Sequence, residues 1–360
     1  MKTISLFAGC GGMDLGAVRS GARIIYANDI MPESRKCFDK YFPNTEFVLG
    51  DVSTITRFPS ADLVFGGYPC QSFSMGGKRK PHNDGRSLLF KEFAKCISIV
   101  KPKFFIAENV SGLKNIESGK WLKEQLNVFR TCGDHGYNIT LKMVRAETYG
   151  IPQRRKRLFI IGVSKKIGLY YRFPIQTHGS PCEVRKKGLK PFLSHGEIIK
   201  NLPSWPVGEF YERPNDPKGE WSWYYMSRNR KAKWDGPSYT IVANLRHTPL
   251  HPASPKMELV WSDLKNGWKQ RWNFTSEYDH LSEKSNHIKL ENPRRLSWRE
   301  CALIQTFSPD FEPYGNLEKK FLQIGNAVPP FLAEIIITPL INGEGLCKSP
   351  LKEEAIDSFL

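Results

Sequence analysis

Six strand-length apolar runs, TISLFA, ARIIYAN, TEFVLGD, ADLVFGG, KFFIAEN and RLFIIGV, punctuate the first 165 residues. Between them stand ESRKCFDKYF, LLFKEFAKCISIV and KWLKEQLNVFRTCG, in which apolar residues recur every three or four positions as on one helix face. Strands that are apolar throughout must be covered on both faces, and parallel strands need long crossovers, most simply helices. The alternation therefore predicts an α/β layer around a largely parallel sheet, with functional residues gathered at the carboxyl ends of the strands.

From about residue 170 to 290 the texture changes, with frequent Pro and Gly and turn-rich stretches such as RPNDPKGEWSW and KWDGPSYT. This predicts a second, irregular domain over 170–294, with 1–169 and 295–345 forming the first and 346–360 a polar tail. SWRECALIQTF reads as a helix; PPFLAEIIITPLI reads as a helix or a strand packing back on the first domain. The net charge of +17 is concentrated, since 151–300 carries +14 and 301–360 carries −4. Seven of nine tryptophans lie between Trp205 and Trp272 in that same basic region. Cations for phosphates and flat rings for bases are what a nucleic-acid surface uses, although a solvated basic surface over an aromatic core has the same composition. The eight cysteines include no C-x-x-C and no close Cys/His cluster, so neither a zinc site nor a disulfide framework is expected. One lysine followed by glycines at the N-terminus, and no run of 18 apolar residues, predict a soluble cytoplasmic protein without a membrane partner.

Four strand ends carry candidate chemistry. In SLFAGCGGMDLG, Gly9, Gly11 and Gly12 allow a tight turn and close backbone approach to a ligand before a helix begins near Met13; tight strand-to-helix turns also need glycine for structural reasons alone. Asp29 follows the second strand, where an acid suits a ribose diol, and Asp51 follows the third, where it suits an adenine amino group. The loop lacks G-x-G-x-x-G spacing, which favours a nucleoside cofactor of low negative charge over a dinucleotide. Cys70, in GGYPCQ, and Glu108, in AENV, would reach the same edge, either as reacting groups or as a buried thiol and a solvated acid. Arg155 and Arg157, two apart in QRRKR, are expected on one side of an extended segment, again as functional cations or as a basic edge strand.

FAGCGG, GGYPCQSFS, ENV, QRRKR, RRLSWRECALIQTFSPDF and QIGNAVPP resemble, in order, the signature blocks of the DNA (cytosine-5) methyltransferases that use S-adenosylmethionine. The resemblance runs from Ser5 to about Pro330, interrupted only by the variable region. It implies a Rossmann-like catalytic domain and a small target-recognition domain. Cys70 would attack carbon 6 of a cytosine flipped out of the duplex, Glu108 would hold ring N3 and the exocyclic amino group, and Arg155 and Arg157 would contact the base carbonyl and steady the cysteine loop. Cofactor contacts carry over to Phe7, Gly9, Cys10, Gly12, Asp29, Ile30, Asp51, Val52, Leu89, Asn326 and Val328. Family members often have Glu where Asp29 stands and a larger aromatic where Ile30 stands, and both differences shorten the ribose contact. Gln71, Ser74, Lys78 and Arg79 would touch DNA from a loop closing after Cys70, joined by Thr240 and Arg246 in the variable region; Thr240 is otherwise an ordinary strand threonine, and Arg228, Arg230 and His247 are further candidates for bases or phosphates. No metal is implied. The partners implied are double-stranded DNA, bound by a monomer associated with the bacterial nucleoid through that DNA, and a functionally paired restriction endonuclease. Two rivals stay open: an RNA (tRNA) cytosine-5 methyltransferase, disfavoured by the basic tryptophan-rich insert, and a non-catalytic DNA-binding protein, disfavoured by the intact blocks.

Overall fold

The computed structural model describes residues 1–69, 89–113, 119–212, 221–264, 267–279 and 289–355, with the side chains of 262–269 left aside. Two compact units emerge, one of 1–145, 156–175 and 328–360 and another of 146–155 and 176–327. The sequence texture draws its boundaries at 169/170 and 294/295; contacts draw them at 175/176 and 327/328.

The first unit is built on a seven-stranded sheet: β1 (Lys2–Leu6), β2 (Arg23–Asp29), β3 (Glu46–Leu49), β4 (Leu63–Gly66), β5 (Phe104–Val110), β6 (Tyr137–Arg145) and β7 (Lys156–Ser164). Their order is β3-β2-β1-β4-β5-β7-β6. β1 to β5 pair in parallel, whereas β7 runs antiparallel to both β5 and β6. The expected α/β class and mostly parallel sheet are both present, with the crossovers made by α1 (Gly12–Arg19), α2 (Pro32–Tyr41), α3 (Leu89–Val100) and α4 (Lys120–Thr131). α3 buries Phe90, Phe93, Ala94 and Ile97, and α4 buries Leu122, Leu126 and Phe129, each a stripe of helical spacing turned to the sheet. Their rings meet Phe105 of β5: Phe93 and Phe129 have centroids 6.2 and 5.1 Å from it, and Tyr137 of β6 lies 5.1 Å away.

In the second unit short elements prevail: α5 (Pro181–Lys187), α6 (His195–Ile199), α7 (Trp223–Met226), α8 (Trp298–Ile304) and α9 (Leu317–Asn326). The two-residue strands β8 (Tyr170–Tyr171), in the first unit, and β9 (His178–Gly179) and β10 (Lys190–Pro191) precede the hairpin β11 (Met257–Leu264) and β12 (Gly267–Phe274). Buried ion pairs, not apolar mass alone, organise this unit. The Arg294 guanidinium donates to both Glu300 oxygens at 2.8 and 2.7 Å, and all of these atoms are inaccessible. Glu300 also closes the capping box of α8 with Ser297, which welds that helix to Arg294. Trp234 is buried against Gly196 of α6, where a side chain would collide with the indole, and its Nε1 donates to Glu197 at 3.0 Å.

The final segment, readable from sequence as helix or strand, is α10 (Pro330–Ile341), and β13 (Leu346–Cys347) pairs with β8. α10 lies on α1 so closely that a Cβ on Gly16 would strike the Pro330 carbonyl oxygen. By length and apolarity alone, 317–341 could cross a membrane, but the chain breaks between α9 and α10 and just over half of that window is buried in protein, as in a core helix.

Candidate active site

Strand register fixes the carboxyl edge. Leu6 of β1 pairs with Asn28 of β2 and Gly66 of β4, and Gly66 pairs with Ala107 of β5. The next residues along each strand are Phe7, Asp29, Gly67 and Glu108, so four of the sequence motifs end on one row.

On the β1 side, Phe7 and Gly9 both have φ of +55° and Gly11 has +84°, so the chain turns through left-handed backbone three times before α1. At Gly11 a Cβ would lie 2.5 Å from the Phe42 ring, whereas a Cβ on Gly9 would meet nothing within 4 Å. Open space over Gly9 is what backbone approach to a ligand requires. The loop is held from β2: Asp29 Oδ2 accepts the Gly9 N–H and Oδ1 accepts the Met31 N–H, both at 2.8 Å. Burial pushes the Asp29 carboxyl up, against hydrogen bonds from the Met31, Gly9 and Ile30 N–H groups and the Ser34 side chain. Ile30 is 68% exposed, an apolar face at the same strand end. Asp51 is exposed, caps a short turn by accepting Ser53 N–H at 2.9 Å, and is held low by that bond. Cys10 and Val52 are buried in the core, where burial drives the Cys10 thiol up; contacts there would come from backbone. Leu89 is half-buried at the start of α3, Asn326 is exposed as the last residue of α9, and Val328 is buried. The bare Gly9, the anchored Asp29, the exposed Asp51 carboxylate and the exposed Ile30 together fit a nucleoside whose base has an amino group and a flat face.

On the β4–β5 side, Glu108 Oε1 lies 2.9 Å from Arg157 Nε, with both side chains largely buried. Burial pulls Arg157 below its ordinary value, and the neighbouring Glu108 opposes that shift. β5 and β7 bring them together, with Glu108 paired to Phe159 and Val110 to Arg157. Gly67 makes room: a Cβ there would stand 2.9 Å from Glu108 Oε2. Tyr68 beside it is buried, with its hydroxyl donating to Gln125 Oε1 at 2.7 Å. Gly67, Tyr68 and Gln125 escape sequence reasoning; only the doubled glycine of FGGYP hints at the close approach. Cys70, Gln71, Ser74, Lys78 and Arg79 lie outside the described residues, which stop at Pro69.

Arg155 and Arg157, expected on one side of an extended segment, are held by different partners. β7 begins only at Lys156, so strand alternation does not reach Arg155. Its guanidinium is buried and donates to the carbonyls of Ile241 and Gly325 at 3.1 and 2.8 Å. The Thr240 hydroxyl donates to the Arg154 carbonyl.

A basic and aromatic patch marks the second unit. Arg295, buried, lies over the rings of Tyr225, Trp221 and Tyr211 at 4.1, 4.6 and 5.0 Å, and donates from Nε to the Arg246 carbonyl at 3.0 Å. Arg230 lies over Tyr225 at 4.9 Å. These cations build the platform, whereas Arg228 and Arg246 are exposed on it. Burial, then Arg230, Arg295, Arg228 and Arg246, holds His247 below its ordinary value. Among the described residues no group of three or more His, Cys, Asp or Glu side chains could hold a metal.

A glycine-rich turn, two strand-end acids and an acid–arginine pair share the carboxyl edge of a mostly parallel α/β sheet, where ligands bind in open α/β folds. The model of the C-5 cytosine-specific DNA methylases matches residues 1–342, and the chain belongs to that family: it is a DNA cytosine-5 methyltransferase. It is 35% identical to the Type II methyltransferase M.BspRI of Lysinibacillus sphaericus over 93% of this chain and 80% of that one. It is 34% identical to the Type II methyltransferase M.NgoPII of Neisseria gonorrhoeae over 92% and 93% of the two chains. The fold is shared with the Dnmt2 methyltransferase of S. pombe, at a TM-score of 0.60 and 15% identity over 96% and 99% of the chains. It is shared likewise with the Entamoeba histolytica methyltransferase EhMeth, at 0.62 and 18% over 96% and 98%.

Proposed function

We propose that this methyltransferase acts on carbon 5 of a cytosine flipped out of a specific double-stranded DNA sequence, with S-adenosylmethionine as methyl donor, in the cytoplasm of a bacterium. The observation that carries the reading is the Glu108–Arg157 pair beside Gly67, on the row that also holds Phe7 and Asp29. S-adenosylmethionine supplies an electrophilic methyl group on a sulfonium; Gly9, Asp29, Ile30 and Asp51 would hold it, with Phe7, Gly12, Leu89, Asn326 and Val328 around them.

Cys70 would add through Sγ to carbon 6 of the base, forming an S–C bond and passing a ring electron pair to carbon 5, which becomes nucleophilic. Glu108 would accept hydrogen bonds from the exocyclic amino group and from N3–H as the ring takes up a proton. Arg157, 2.9 Å from Glu108 Oε1, would fix the orientation of that carboxyl for the task. With S-adenosylhomocysteine as the leaving group and the methyl on carbon 5, solvent would take the carbon-5 proton, the electron pair would return to the ring, the S–C bond would break to free the Cys70 thiolate, and N3 would give back the proton it had taken up. Arg155 would hold the segment at Ile241 to Gly325 rather than touch the base, because its guanidinium spans their two buried carbonyls.

Target reading would fall to the second unit, with the exposed Arg228 and Arg246 making phosphate or base contacts, Thr240 beside them, and Gln71, Ser74, Lys78 and Arg79 closing from the loop after Cys70. Similarity to Type II methyltransferases supports a protective role opposite a restriction endonuclease. The test is bisulfite sequencing of plasmid DNA from cells expressing the chain: methylation of one cytosine within a recurring short sequence is expected, and unmodified cytosines with soluble, folded protein overturn the reading.

A further inference from the structure

In the second unit the segment HGSPCEVRKKGLKP, from His178 to Pro191, carries Arg185, Lys186, Lys187 and Lys190, all exposed. None of the four forms an ion pair among the described residues. The segment's one acid, Glu183, is committed elsewhere: Oε2 accepts the Ser180 N–H and hydroxyl at 2.9 and 2.8 Å, and Oε1 accepts from Gln176 Nε2 at 3.4 Å. Arg185, Lys186 and Lys187 crowd the last turn of α5, more positive charge than a helix end of about half a negative unit can use.

These cations stand on a built element. The capping box of Ser180 and Glu183, with Pro181 after it, starts α5; Gly188, at φ +66°, ends it with its N–H on the Val184 carbonyl at 3.1 Å. Gly179 lets the helix fold back over β9, because a Cβ there would stand 2.7 Å from the Glu183 Cβ and 3.0 Å from Leu189. β10 pairs with β9, and the Lys190 N–H reaches the Thr177 carbonyl at 3.0 Å. Both rest on the turn at 146–150: the Thr177 N–H donates to the Thr148 carbonyl at 3.0 Å, and the His178 ring would stand 2.8 Å from a Cβ on Gly150. A few residues on, the same stretch holds the approach to Thr240, since the Arg154 N–H donates to the Ser238 carbonyl at 2.8 Å and the Ser238 N–H to that of Pro152 at 3.0 Å.

We propose that Arg185, Lys186, Lys187 and Lys190 form a sequence-independent contact for the phosphates of duplex DNA beside the target, an inference that rests on the DNA reading above. Duplex DNA presents about one negative charge per 1.7 Å of its axis, and each phosphate that a fixed cation neutralises releases a counterion. From His178 to Pro191 there is neither Asn nor Gln, whose amides read adenine edges, so what the element offers DNA is charge for its backbone. Because 146–155 supports both this element and the approach to Thr240, the two present themselves to DNA from one base.

The test is fluorescence anisotropy with the full chain on two labelled duplexes of about 30 base pairs, one carrying the target mapped by sequencing and one with that target scrambled, each titrated over a range of salt. Replacing three exposed cations together, Arg185→Gln, Lys187→Gln and Lys190→Gln, is expected to lower the slope of log K against log salt by about 2 to 3 on both duplexes. Both should weaken by the same factor, at least about tenfold at low salt, while their affinity ratio and kcat at saturating target DNA stay as in wild type. Thermal melting verifies folding, and Lys190→Gln alone, expected to lower the slope by about one, carries the test if the triple variant unfolds. A folded variant whose slope is unchanged, or whose loss falls on the target duplex alone, overturns the proposal. Wild-type protein that neither prefers nor methylates the target duplex overturns the functional reading instead.

Discussion

Acid should unfold the second unit before it harms the first, and His195 supplies the magnitude. Its Nδ1–H donates to the Gly236 carbonyl at 2.8 Å, the ring is fully buried, and burial with Lys231 nearby holds it down to about 4. In the unfolded chain a histidine titrates near 6.5, so between pH 6.5 and about 4 the unfolded state binds a proton that the native state refuses. Stability from this group is complete above pH 6.5 and is lost as pH falls toward 4. A difference of about 2.5 units at 1.36 kcal/mol each comes to about 3.4 kcal/mol, a large part of the 5–15 kcal/mol typical of a domain. His195→Asn keeps a donor for Gly236 and cannot titrate. Urea unfolding followed by tryptophan fluorescence, with seven of nine indoles between Trp205 and Trp272, reports mainly on the second unit. Wild-type protein should lose stability from pH 7 to 4.5 with a slope approaching one proton, and His195→Asn, though weaker at pH 7, should lose about 2.4 kcal/mol less over that range. Equal slopes for the two proteins refute the assignment.

The opposite sign is expected at Asp14, fully buried in the first turn of α1, where burial pushes the carboxyl up to about 7 against a hydrogen bond from Ser5. Its stability contribution is complete below pH 3.8 and is lost as pH rises through 7, so Asp14→Asn should gain as much as about 4 kcal/mol at pH 8 and little at pH 4, read by amide exchange in α1. Asp29→Asn leaves one of two backbone N–H groups without its acceptor and should weaken S-adenosylhomocysteine binding by at least about tenfold in calorimetry while duplex affinity without cofactor is unchanged. Glu108→Gln should lower kcat by roughly 10²–10⁴ with KM for DNA little changed, since the charge it removes serves the transition state; a KM effect alone would mean that Glu108 only binds.

Local signals carried much of this architecture. Six of the seven sheet strands stand out as apolar runs, and their carboxyl ends deliver Phe7, Asp29 and Glu108 where such a sheet would put them. β6 does not stand out because Ile139, Leu141 and Met143 alternate with Asn138, Thr140 and Lys142, and the half-polar pattern is diluted beside fully apolar neighbours. Nor does sequence announce that β7 runs antiparallel, since strand direction is set by the connection through 146–155 and not by composition. Arg155 and Arg157 read as twins because the spacing of two assumes a strand through both; the strand begins between them. α8 and α9 pack within the second unit through Arg294 to the Ser204 carbonyl, Gln153 to Gln305 and Arg155 to the Gly325 carbonyl, bonds that span long stretches of chain. Polar partnerships of that range leave no periodicity to read.

The most direct test of the central claim is to incubate the protein with S-adenosylmethionine and a duplex carrying 5-fluorocytosine at the mapped target. Fluorine replaces the proton that must leave carbon 5, so the S–C bond cannot break, and a complex stable to denaturant is expected, with peptide mass spectrometry placing the adduct on Cys70 and Cys70→Ser giving none. Active enzyme that forms no such complex, or that forms it on another residue, would contradict the account.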